Sequence, residues 1–120
     1  MLEKVNLAEK LRRVDDHWHA RLVGEVNDFQ VKIVKLLGDF VWHRHEAEDE
    51  MFLVVKGELT IQLRDGDVRL AAGEFLVVPK GVEHRPSAAA EVEVLLFESK
   101  TTVNTGNVTN ERTRTAVDRI

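Results

Sequence analysis

Three of the five histidines stand in a pattern that suits metal chemistry. His43 and His45 lie two residues apart in a β-prone run. Strand side chains alternate with period two, so both leave the same face and bring two imidazoles to one point. Glu50 follows after a four-residue connection, at the start of the next predicted strand, which can return its carboxylate beside the pair. Downstream, Gly73, Pro79, Gly81 and His84 run as Gly, five residues, Pro, one residue, Gly, two residues, His. The chain has no Cys, which excludes disulfides, thiolate nucleophiles and thiolate metal sites. Any metal must be held by His, Asp or Glu.

Taken singly, these residues have ordinary readings. A strand His is usually a polar surface group, and Glu50 ends the acidic run Glu46, Glu48, Asp49, which reads as a solvated stretch. The joint pattern is rarer. At average Gly and Pro usage the Gly, Pro, Gly spacing alone arises at on the order of 10⁻⁴ per start position.

The elements that must position these residues are mostly strands. Short runs rich in Val, Ile, Leu and Phe, broken every few residues by Gly, Asp or Pro, predict strands over 29–37, 40–45, 51–56, 58–64, 75–78 and 92–97, with a shorter piece at 68–70. Asp65-Gly66 sits between two alternating runs and predicts a hairpin turn with positive φ. Ahead of them, residues 6–14 place Leu7, Leu11 and Val14 at helical spacing, with Asn6 as N-cap and Glu9 three residues on. Many short strands at regular spacing argue a sandwich or barrel, a fold that must close, cover or pair its edges. Three parts result: an N-terminal helical segment over 1–20, a sandwich or barrel over 21–100, and a polar tail over 101–120 packing on that body or on a partner subunit.

With the strands in place, the motifs resemble those of the cupin superfamily. The first reads Gly38-Asp39-Phe40-Val41-Trp42-His43-Arg44-His45 with Glu50 and Gly57, and the second runs from Gly73 to His84. Trp18, the run Val-Pro-Lys-Gly-Val-Glu-His-Arg-Pro and Asn104-Thr105-Gly106 are similar to small single-domain bacterial cupins of unassigned function. The resemblance implies an all-β fold, a cupin-type double-stranded β-helix or jelly-roll barrel with a short N-terminal helix. It also implies one divalent transition metal per chain, held by His43, His45, Glu50 and His84. Two departures stand out. Four residues separate Gly38 from His43 where the family pattern has five, and Ala88 stands where many members carry Asn. The second weakens any analogy with oxalate-type oxidases.

Three His and one Glu make chemical sense as a ligand set. They suit Fe, Mn, Ni, Zn, Co or Cu without distinguishing among them, and leave one or two positions open on a six-coordinate ion. A bound ion would then polarise a substrate oxygen, activate water or bring a substrate and dioxygen together. Around the ligands, Arg44 and Trp42 should point away from the metal by alternation. Glu83 and Arg85 flank His84 and either orient it, guard the pocket mouth or form a solvated pair. Phe40, Met51, Phe52, Phe75 and Val77 read as core or pocket wall. His17 and His19 flank Trp18 without a downstream partner motif and read as non-ligands.

Two functional classes follow, with an accessory or structural protein whose metal site is vestigial as a third possibility. One is a metal-dependent enzyme acting on a small organic molecule, with oxygenase-like or isomerase-like chemistry. The other is a non-catalytic metal and small-ligand-binding module serving as sensor or storage protein. The chain has no Tyr, so mechanisms resembling cupin sugar epimerases lose their usual proton donor. At 120 residues and 13.7 kDa the chain fits a single domain. Lys plus Arg number 17 against 21 Asp plus Glu, a net charge of −4 with no long basic run, so neither nucleic acid nor a membrane surface is an expected partner. No basic leader with an apolar core opens the sequence, and the expected location is the cytoplasm. The edge-strand problem and the family resemblance together predict a homodimer.

Overall fold

A computed structural model describes residues 2–120. The element order is α1 (Leu7–Arg12), β1 (Arg21–Val26), β2 (Phe29–Asp39), β3 (Glu50–Lys56), β4 (Glu58–Leu63), β5 (Gly66–Ala71), β6 (Phe75–Val78), β7 (His84–Ser99) and β8 (Asp118–Arg119). The jelly-roll architecture rests on β7. Its first part pairs with β4, Thr60 opposite Ser87 and Leu63 opposite His84, while its second part pairs with β3, Glu50 opposite Glu98 and Val54 opposite Val94. β2 runs beside β7 along most of its length, from Phe29 opposite Ser99 to Asp39 opposite Ser87. β7 therefore joins the β4–β5 hairpin, the β3–β6 pair and β2, and the one eight-stranded sheet curls round a common interior without closing.

The bend in β7 explains one glycine. Gly57, between β3 and β4, has φ +95°, and a Cβ there would lie 3.1 Å from the Glu91 carbonyl oxygen and 3.3 Å from Val92 Cα. Only a residue without a side chain lets these backbones approach so closely.

Alternation fills the interior. Val34 and Leu36 of β2, Phe52 and Val54 of β3, Leu59 and Ile61 of β4, and Val92 and Val94 of β7 form one buried cluster. At about 1.5–3 kcal/mol per fully buried aliphatic or aromatic side chain, this cluster is the main source of stability. The opposite face of β2 is covered as well: Ile33 packs with Val23, Leu11 and Val14. A six-residue helix cannot hold itself together in water. α1 stands because Leu11 and Val14 are buried, 1% and 2% exposed, and because Asn6 Oδ1 accepts from Glu9 N at 3.0 Å.

Three sequence readings need correction. Residues 40–45 do not form a strand; only His43 bridges, to His84, because the neighbouring backbone groups bond to other segments. The hairpin between β4 and β5 turns on Arg64 and Asp65, with Gly66 already paired to Leu63. Phe75 and Val77 are not core but 60% and 46% exposed. Period two turns Leu76 and Val78 inward and leaves these two on the outside, and Met51, the cross-strand neighbour of Val77, is only half-buried. β1, β8 and the His84 half of β7 carry no strand expectation from the sequence.

The tail lies against the barrel. Thr102 and Thr105 are buried, Asn104 Nδ2 donates to the Arg112 carbonyl at 2.7 Å while its Oδ1 accepts from Arg114 N at 2.8 Å, and β8 pairs in parallel with β1. Among the described residues no helix is long and apolar enough to cross a membrane.

Candidate metal centre

His43 and His45 lie in the irregular segment between β2 and β3, and the segment is fastened on all sides. Phe40 N donates to the Pro86 carbonyl (2.9 Å), His43 N to that of His84 (3.0 Å), His84 N to that of His43 (2.9 Å) and Gly81 N to that of His45 (2.8 Å). The tail adds a clasp: Asn107 N donates to the Arg44 carbonyl at 3.0 Å, and Asn107 Oδ1 accepts from Arg44 N at 2.8 Å. Both imidazoles still turn to one side of the segment. His43 and His45 are 2% and 3% exposed, whereas the Arg44 side chain points out to Glu46.

Glu50 opens β3 and His84 opens β7, both facing inward, 5% and 0% exposed. One potential ligand atom from each of His43, His45, Glu50 and His84 lies within 4.8 Å of the others. Glu50 Oε1 is 3.3 Å from His45 Nε2 and 3.4 Å from His84 Nε2. His43 Nδ1 and His84 Nδ1 sit 2.9 Å from the Val41 and Val82 carbonyl oxygens. A carbonyl can only accept, so each Nδ1 carries the proton and each Nε2 presents its lone pair to the centre. This is the arrangement that orients a metal-binding imidazole.

The donor set passes a simple test of fit. His45 Nδ1 and Nε2, Glu50 Oε1 and His84 Nε2 are buried with no hydrogen-bond partner. Buried polar groups are normally paired, and a divalent cation would satisfy three of these at one point.

Electrostatics favour the ligating protonation states. Burial, followed by the neighbouring His84, lowers His43 to about 4, outweighing the hydrogen bond to Val41 and the attraction of Glu50. Burial opposes ionisation of Glu50, yet contacts with His45, His84 and Glu98 prevail and hold it well below its ordinary value. Neutral imidazole and charged carboxylate are the forms a metal requires.

A cavity of about 130 Å³ reaches this cluster, with His43, Glu50 and Phe52 in its wall. Trp18 and Phe40 stack at 4.8 Å on one side, and residues 114–117 of the tail line it from another.

The remaining sequence candidates sit elsewhere. Trp42 stacks beneath the Arg64 guanidinium at 3.7 Å. Glu83 pairs with Arg64, and Arg85 Nε donates to Gln62 Oε1. His17 contacts Glu91, and His19 lies between Asp16 and Asp118.

Sequence reasoning missed Lys32 and Glu98, a buried ion pair at 3.0 Å in the same cavity. Alternation carried the signal, since Lys32 shares a face with Val34 and Leu36, and Glu98 with Val92 and Val94.

Comparison with known proteins fits this geometry. The Cupin domain family model matches residues 33–111. This chain belongs to the cupin family. The crystal structure of a cupin-2 domain protein from Shewanella frigidimarina superposes with a TM-score of 0.78 at 44% identity, over 79% of this cupin and 93% of that chain. A Neisseria meningitidis protein superposes with a TM-score of 0.75 at 34% identity, over 81% and 99%. The uncharacterized protein YdbB of Bacillus subtilis is 37% identical over 79 residues, 65% of this cupin and 70% of YdbB.

Proposed function

We propose that this cupin is a metal-dependent enzyme acting on a small organic molecule, with one divalent transition ion per chain held by His43, His45, Glu50 and His84. One observation carries the reading: buried donor atoms without partners converge on one point beside a cavity. Burying such groups is costly unless a ligand satisfies them. When bound, the ion supplies a Lewis acid and, if redox-active, a route to oxygen chemistry, so the reaction class is oxygenase-like or isomerase-like. The chain does the rest. His43 and His84 hold their Nε2 lone pairs inward through the Val41 and Val82 carbonyls, Phe40 and Phe52 give the cavity an apolar wall, and residues 114–117 line it from the tail.

Elemental analysis of the parent and its His84→Ala variant, purified without added metal, tests the site. About one equivalent of a single transition metal in the parent and little in the variant is expected. Iron, manganese, nickel or copper would direct substrate screening to oxygen chemistry, and zinc to isomerase or binding roles. No metal in the parent even after reconstitution would overturn the reading.

The tail's cover over the cavity favours a second reading, a module that holds metal and a small ligand without turnover. His43→Ala separates the two: an enzyme loses turnover while remaining folded, whereas a binding module has no turnover to lose. We also propose a homodimer, supported by exposed Phe75 and Val77 on β6, which among the described residues pairs only with β3. Light scattering of the parent should give twice 13.7 kDa, and a monomer mass across a concentration series would refute the dimer.

A further inference from the structure

Lys32 is 7% exposed and Glu98 3%, and their side chains face the cavity from neighbouring strands. Lys and Glu are almost never buried unless paired, and here Lys32 Nζ donates to Glu98 Oε1 at 3.0 Å. The pairing is incomplete. That bond is the one Lys32 Nζ makes to another side chain among the described residues, while Glu98 Oε2 and, in the same cavity wall, Thr102 Oγ1 are buried with no partner. Packing alone does not explain this, because two apolar side chains of similar volume would fill the space at least as well. None of the three belongs to the proposed metal set.

The rest of the wall narrows what would satisfy them. Its cationic side chains are Lys32, Arg114 and Lys100, the last paired to Asp28 at 3.4 Å, against Glu50 and Glu98, and a divalent ion would add further positive charge. An anion is favoured. Val34, Leu36 and Phe40 give the cavity an apolar side that suits a short carbon skeleton.

From these contacts we propose that Lys32, Glu98 and Thr102 recognise a small hydroxy acid, Lys32 binding its carboxylate and the free oxygens of Glu98 and Thr102 its hydroxyl. The inference rests on the enzyme reading for the role of the cavity and names the substrate class. Lys32 is a specificity-determining residue, outside the ligand set.

The test compares lactate, propionate and 1,2-propanediol as probes. Binding is measured by calorimetry on the metal-loaded and metal-stripped protein, with metal content recorded separately. Lactate should bind at least about tenfold more tightly than either analogue, because each lacks one partner of a buried polar group. Lys32→Met should weaken lactate about tenfold or more in both metal states with metal content unchanged. If that variant fails to fold, Lys32→Met/Glu98→Leu removes both charges and should fold, retain metal and lose lactate binding. Lactate bound equally by the parent and the variants, or no tighter than propionate, or not at all by the parent, overturns the proposal. A parent that binds no metal but shows Lys32-dependent lactate binding would overturn only the metal reading.

Discussion

Glu50 and Glu98 face each other in register across β3 and β7, and their carboxyl groups are driven in opposite directions. Burial, followed by the neighbouring Glu50 charge, pushes Glu98 well above the ordinary carboxyl range, with Lys32 pulling the other way without prevailing. Glu50 is held well below that range by its histidine neighbours and Glu98, against the effect of its own burial. One strand pairing thus supplies a charged candidate ligand and, beside it, a carboxyl group that holds a proton more readily.

The Lys32 and Glu98 pair should reveal itself in stability. Lys32→Met leaves a buried carboxyl without its cation and should cost more stability than Lys32→Met/Glu98→Leu, which should come within about 1–2 kcal/mol of the parent. Urea denaturation of the three proteins decides it, and equal losses in both variants would contradict a buried pair.

Acid should weaken the metal-free protein through His43. Its folded value of about 4 lies below the ordinary 6.5, so between these pH values the unfolded chain binds a proton that the folded chain refuses. Stability is then lost as pH falls from 6.5 towards 4, by up to roughly 3 kcal/mol from this group. Denaturation midpoints across that range should fall in the parent and fall less steeply in His43→Phe.

Chelation should lower the melting temperature. An ion that binds only the folded state adds about 2.7 kcal/mol when its free concentration is a hundred times its Kd. For a domain of this size that is roughly 10 °C. Calorimetry before and after chelation measures the difference, and superimposed traces would remove any stabilising role for the ion.

Gly106→Ala should disturb the metal centre from the tail. Gly106 has φ +56°, and a Cβ there would lie 2.2 Å from the Arg44 carbonyl oxygen and 3.1 Å from His43 Cδ2. The tail must shift away from the segment that carries His43 and His45, at a cost of about 1–3 kcal/mol. Metal affinity should fall with it. Metal titration and thermal melting of the variant check both.

The readable part of the site was the part written locally. His43 and His45 share a face because neighbouring residues in extended backbone alternate, a rule that holds although residues 40–45 form no strand. His84 and Glu50 stood out through turn-forming glycines, a proline and their spacing. The N-cap at Asn6 was equally legible, since capping involves only three residues. Phe75 reads as core from its hydrophobicity, which says how well a side chain would bury, not which face of an edge strand it occupies. Lys32 and Glu98 went unnoticed because charge argues for solvent until a partner from a distant strand is known. The clasp of Asn107 on Arg44 gave no signal at all, being a polar contact between segments far apart in the chain.

That clasp has a bearing on biosynthesis. It joins residues 63 positions apart, and it fastens the segment bearing two ligands with a part of the chain that leaves the ribosome later than all four. Closing so long a loop is slow and entropically opposed until the intervening strands have paired. A nascent chain ending before Asn107 would carry the full complement of ligands without the fastening that holds two of them in place. Capture of the proposed ion would then follow strand pairing and closure by Asn107, and occupancy of the centre would report that this late contact has formed.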